Sequence, residues 1–212
     1  MGGPLSFLIN FFKEGGPFMY AILLVAVFGL SIIAERFIVL VLLWNLDGKT
    51  FWEKIKRYLT EGKVNEAKIL CEAIKAPVAK IFLRAIINFH ESDKNIQNAV
   101  DESALEVIPV VEKRTHYLAM LANVSTLFGL LGTITGLIKA FAAVGAADPS
   151  QKAALLAYGI SMAMNNTAFG LFMAITFMLA HSYLFTRQTS IIDEIDELSI
   201  KMMNLITHLK RG

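Results

Sequence analysis

Asn165, Asn166 and Thr167 are consecutive in a run, Leu155 to Phe185, that contains no formal charge. A second run, Leu118 to Val144, carries Thr126, Thr133 and Thr135 and is interrupted only by Lys139. A hydroxyl in an apolar helix can satisfy itself on a carbonyl one turn back. A carboxamide left unpaired in hydrocarbon is costly, so Asn165, Asn166 and Thr167 are expected to face protein or water. Two uses fit such a cluster: hydrogen bonds between helices, or the lining of a path for a small ion. Amide and hydroxyl oxygens also suit a hard cation such as Na⁺. Neither run holds an Asp or Glu. Proton carriers inside a membrane need an ionisable side chain, so the chain could line a path while another protein supplies the acid.

Small residues accompany the polar ones. Gly129, Gly132, Gly136 and Ala140 recur at steps of three and four, and Gly159, Ala163, Asn166 and Gly170 do the same. Such stripes let helix backbones approach closely in lipid, where packing drives association. They predict tight contact of the two helices with each other or with another subunit. Other chemistry is not suggested. The four histidines are scattered, no glycine loop precedes a basic residue, and the single cysteine, Cys71, rules out an internal disulfide or cysteine cluster. No enzyme activity, firm metal site or cofactor is expected.

The elements that must position these residues lie in lipid. Of 212 residues 55% are hydrophobic and 18% charged, against about 25% charged in soluble domains, and the mean hydropathy is +0.55. Three stretches reach the ~20 apolar residues a bilayer requires: one from Pro17 to Ala34 continuing through Phe37 to Trp44, then 118–144 and 155–185. This predicts an all-α integral membrane protein with an N-terminal segment and first span (1–44), a helical loop region (45–117), the second span (118–144), a short loop (145–154), the third span (155–185) and a C-terminal helix (186–212). The first span is longer than a signal-peptide core and lacks a basic start, so it is expected to be retained. Twelve basic residues fall in 45–117 and four in 186–212, against Lys13 and Lys152 on the other side. That bias places the loop region and C-terminus in the cytoplasm and the N-terminus outside. A net charge of +2 without a basic stripe argues against nucleic acid as a partner; membrane lipid is the expected surroundings.

Charges near the spans have simple readings. Glu35 and Arg36 fall at an interface and are expected to pair structurally. Lys139 stands six residues past Thr133, ~9 Å along a helix; it can anchor at the headgroups or tune an ion entrance. In 45–117 apolar residues keep helical spacing, Ser92 is a plausible N-cap, and the last helix is expected to run through Pro109 into the second span. Ile191, Ile195, Leu198, Met202, Leu205 and Leu209 alternate steps of four and three, a seam for packing on the chain's own helices or between subunits.

In order along the chain, Pro17 to Ala34-Glu35-Arg36, the stretch Gly129-Leu-Leu-Gly-Thr133-Ile-Thr-Gly136, and Asn166-Thr-Ala-Phe-Gly170 resemble the MotA/TolQ/ExbB proton-channel family, with TolQ/ExbB-like subunits the nearest. The resemblance implies a homopentamer in a bacterial inner membrane around a dimer of a single-span ExbD/TolR/MotB-like protein. That protein's transmembrane Asp carries the ion past threonines corresponding to Thr133 and Thr167. It further implies a motor driven by the proton-motive force that energises an envelope process such as transport, envelope integrity or motility. Met162 stands where TolQ and ExbB usually carry a glutamate, which keeps sodium coupling open as an alternative to protons, with Na⁺ near Thr133, Asn166 and Thr167. A passive oligomeric scaffold is the alternative of another class, and a solute carrier is disfavoured by the lack of an inverted repeat.

Overall fold

The computed structural model describes residues 11–13 and 15–211; residues 1–10 of the expected N-terminal segment lie outside them, as do Glu14 and Gly212. All regular structure among the described residues is helical: α1 (Gly16–Phe37) with a π-helical continuation (Ile38–Leu43), α2 (Gly48–Thr60), α3 (Val64–Ala73), α4 (Pro77–Ile87), α5 (Asp93–Glu112), α6 (Thr115–Ala146) and α7 (Lys152–Arg211). Gly16–Leu43, Asp93–Ala146 and Lys152–Lys210 each contain a stretch long and apolar enough to cross a membrane. The protein is an all-α membrane protein with three such helices. It divides into two compact units, one of residues up to Ala34 with Thr115–Ser182, the other of Glu35–Arg114 with Tyr183 onward.

In the first unit the outward faces are apolar. Leu24, Val27, Phe28, Phe141, Phe172 and Leu179 are all exposed, an arrangement suited to lipid, since helices satisfy their own backbone groups. The inward faces are small. A Cβ on Gly170 would sit 2.7 Å from the Ser125 carbonyl and 3.0 Å from the Gly129 Cα, and one on Gly136 would sit 3.0 Å from the Ala163 Cβ. Gly132 opposes Asn166, and Gly159 opposes Ala140. Numbers rise on α6 as they fall on α7, so the two stripes mesh antiparallel with backbones in direct contact.

The second unit is a helical bundle whose ends are fixed by caps. Asp47 accepts from the Lys49 and Thr50 amides at 3.2 and 3.5 Å, Pro77 opens α4, and Ser92 accepts from the Asn95 amide at 3.2 Å. Gly62, with φ +74°, turns the chain between α2 and α3. Phe51, Ile55, Cys71, Ile81, Phe82, Ile96 and Val100 form the core.

Two local expectations are corrected. The helix expected to run from 94 into the second span is broken: α5 ends at Glu112, and Arg114 adopts φ 67° before α6 begins at Thr115. Pro109 is accommodated inside α5; the break comes from the left-handed residue five positions later. In the C-terminal seam Ile191, Ile195, Leu198 and Met202 are buried within the chain itself, but the next buried position is Ile206, not Leu205. A straight helix of 3.6 residues per turn drifts from a 3.5-residue repeat, so the buried line slips by one residue. Lys210 at its end reaches the Asp93 carboxylate at 3.5 Å.

Candidate ion-path site

The register of the meshed stripes brings Thr133 of α6 and Thr167 of α7 together. Their hydroxyls are in direct hydrogen-bonding contact. Thr133 Oγ1 also lies 3.0 Å from the Gly129 carbonyl and 3.3 Å from the Ala163 carbonyl of the opposite helix, and Thr167 Oγ1 lies 3.4 Å from the Gly129 carbonyl. Each hydroxyl has one proton to give and lone pairs to receive. The two protons can therefore be shared among several acceptors, and two hydroxyl and two carbonyl oxygens converge on one point between the helices. Both threonines are half-buried.

Other hydroxyls in the spans behave differently. Thr126 donates to the Ala122 carbonyl at 3.1 Å, Thr135 to those of Leu131 and Gly132 at 2.9 and 3.1 Å, Thr176 to Phe172 at 2.9 Å and Ser31 to Val27 at 2.7 Å. Each bonds back within its own helix. Among these hydroxyls only Thr133 and Thr167 reach the neighbouring helix.

The adjacent amides have separate places. Asn166 is 1% exposed; its Nδ2 donates to the Gly15 carbonyl at 2.8 Å and to the Met162 carbonyl at 3.2 Å. Asn165 is half-buried, and no hydrogen bond joins it to the threonine pair. Lys139 is exposed on α6. Of the small residues singled out in the sequence, Gly129, Gly132, Gly136, Gly159, Ala163 and Gly170 all lie at the α6–α7 contact.

In the second unit Glu35 lies between two arginines. Its Oε1 accepts from Arg36 Nη2 at 3.1 Å, and its Oε2 from Arg114. Arg36, 3% exposed, also donates to the Val110 carbonyl at 3.3 Å. Arg187 donates to the Leu40 carbonyl of the π-helical segment at 3.4 Å and to Asn45 Oδ1 at 3.2 Å. The sequence did not single out Gly15, Arg114 or Arg187. Gly15 acts through its backbone, which no residue type advertises; the basic residues Arg114 and Arg187 flank the second and third apolar runs, and that position was their only signal.

Comparison with known proteins agrees with this architecture. Residues 69–197 match the model of the MotA/TolQ/ExbB proton channel family. The chain is similar to a biopolymer transport protein ExbB homolog of Methanothermobacter thermautotrophicus, 26% identical over 93% of this chain and 69% of the relative. It is also similar to the Tol-Pal system protein TolQ of Haemophilus influenzae, 35% identical over 46% of this chain and 42% of the relative. With the biopolymer transport protein exbB1 of Vibrio cholerae the identity is 33% over 49% of this chain and 46% of the relative. Three membrane-crossing helices, the small-faced pair that joins Thr133 to Thr167, and a family match over more than half its length together show that this chain belongs to the MotA/TolQ/ExbB proton channel family.

Proposed function

We propose that this protein is the channel-forming subunit of an ion-driven motor in a bacterial inner membrane, with Thr133 and Thr167 lining the ion's path. The observation that carries this reading is the hydroxyl pair itself, in which Thr133 and Thr167 bond between α6 and α7. Hydroxyls pass hydrogen bonds along but cannot hold a travelling proton, so an ionisable group must come from outside the chain. The family supplies one in a single-span ExbD/TolR-like protein with a transmembrane Asp, and five copies of this chain around two of that partner are the expected assembly. The basic bias places 45–117 and the C-terminal helix in the cytoplasm and the N-terminus outside. Proton coupling is the leading reading, and the work delivered is an envelope process carried by the partner's outer domain.

Sodium coupling is supported by a specific feature. Two hydroxyl and two carbonyl oxygens meet at Thr133 and Thr167, a set suited to a hard cation, while Met162 occupies the position that resembles the family's glutamate site. The passive scaffold predicts instead that changes here affect assembly alone.

The deciding experiment co-expresses the chain with its single-span partner and records cytoplasmic pH and growth, with and without external Na⁺. Acidification independent of Na⁺ and abolished by Thr133→Ala or Thr167→Val, with assembly retained, is the expected result. Inhibition that needs Na⁺ at constant pH selects sodium coupling, and normal activity in both variants overturns the site.

A further inference from the structure

The Asn166 side chain is held from three sides. Its two amide protons go to the Gly15 carbonyl, at the start of α1, and to the Met162 carbonyl of its own helix. Across from it stands Gly132 of α6, where a Cβ would come within 2.6 Å of Asn166 Cβ and Cγ. Phe11 and Phe12 lie on the same stretch of α7, meeting Phe169 edge-on at 6.2 and 5.3 Å. One carboxamide therefore engages all three spans. Its Oδ1, meanwhile, is buried with no hydrogen-bond partner among the described residues. An orphaned buried acceptor costs stability, and that cost offsets part of what the two donated bonds contribute. The net gain in stability from the amide is therefore small, and its presence calls for another reason.

That reason lies one residue on. Successive helix residues are fixed in rotation about the axis, so holding Asn166 against Gly15 and Gly132 sets the direction of Thr167. We infer that Asn166 is a positioning residue: its amide locks the rotation of α7 that aims Thr167 at Thr133. The inference rests on the ion-path reading for its functional meaning but not for its geometry.

The test measures that geometry directly in the full-length chain in membranes. Cys71→Ala removes the native thiol, and Thr133→Cys with Thr167→Cys places two sulfurs where the hydroxyls meet. Copper-phenanthroline oxidation then reports their proximity as disulfide yield. Adding Asn166→Leu, which fills the volume, or Asn166→Ala, which empties it, is expected to lower the initial cross-linking rate about fivefold, the factor of one net hydrogen bond. The oligomer and its thermal transition should stay in place. An unchanged rate in both variants overturns the inference, as does a loss of cross-linking that always accompanies loss of the assembled protein. Ion conduction by Asn166→Leu, with both threonines native, separates the two readings. Lost cross-linking with undiminished conduction keeps the positioning role and sinks the ion path at Thr167. Unchanged cross-linking with lost conduction sinks the positioning role and leaves the path standing.

Discussion

Arg36 and Val110 are 74 residues apart in the chain, and the Arg36 guanidinium donates to the Val110 carbonyl at 3.3 Å. Val110 lies in the last turn of α5, where carbonyls lack a partner within the helix. The left-handed Arg114 stops the helix, and Arg36 supplies a charged donor to one of the carbonyls left open. Glu35 then holds both arginines.

Removing that guanidinium should be expensive. Arg36→Met is expected to destabilise the protein by roughly 1.5–3 kcal/mol, the range for a hydrogen bond to a charged group. Lys80→Ala, which breaks an exposed 2.8 Å ion pair with Glu106, should change stability by less than about 1 kcal/mol. Thermal unfolding of both variants in detergent checks the contrast, and equal shifts would contradict it.

Glycines should sort by what faces them. Gly170→Ala pushes a methyl to 2.7 Å from the Ser125 carbonyl and 3.0 Å from the Gly129 Cα, both backbone. It should cost about 1–3 kcal/mol by overpacking. Gly145→Ala, with nothing within 4 Å, should be neutral or stabilise its helix by up to about 1 kcal/mol. Melting temperatures that move together would show that the stripes do not mesh as described.

Hydroxyls two residues apart should also differ. Thr133→Val removes a group that reaches α7, whereas Thr135→Val removes one satisfied by Leu131 and Gly132 of its own helix. Partner-dependent ion flux is expected to fall at least about tenfold in the first, the effect of losing ~1.4 kcal/mol at a barrier, and to change little in the second. Equal loss in both would point to helix packing in place of ion passage.

Cys71 should be silent towards alkylation. It is buried in the bundle of the second unit, and burial pushes its thiol well above the ordinary thiol range, up to about 12. At pH 8 maleimide should label it only after denaturation, because the thiolate is the reactive form. The sign of the linkage follows: above pH 9 an unfolded thiol loses its proton while the folded one keeps it. The Cys71 contribution to stability therefore declines as pH rises from 9 towards 12. Native labelling at pH 8 at the rate of a free thiol would refute the burial.

The three spans were legible because apolar run length is a property of composition alone. The cap at Ser92 is equally local, whereas the one at Asp47 was not singled out. What escaped was anything set by a single dihedral or a distant backbone atom. Lys113 and Arg114 read as ordinary helix formers, so nothing in their types marks the φ of 67° that separates α5 from α6. The slip of the C-terminal seam to Ile206 is a drift between two nearly equal periods, too small to see over a few turns. Within the candidate site, the stripe positions could be read from spacing, but the antiparallel register pairing Gly132 with Asn166 could not. Nor could the Gly15 carbonyl, 151 residues from the amide it receives.

The meshing of Gly129, Gly132 and Gly136 with Ala163, Asn166 and Gly170 has a mechanical consequence. Where backbones touch, few side chains stand between them to change rotamer and absorb a displacement, and close-packed interiors transmit strain with little compression. The lipid-crossing parts of α6 and α7 therefore turn or tilt as one body. A displacement of either helix carries the other with it, so the spacing of the hydroxyl pair belongs to the two helices as a unit, held by their glycine contacts and by the Asn166 amide.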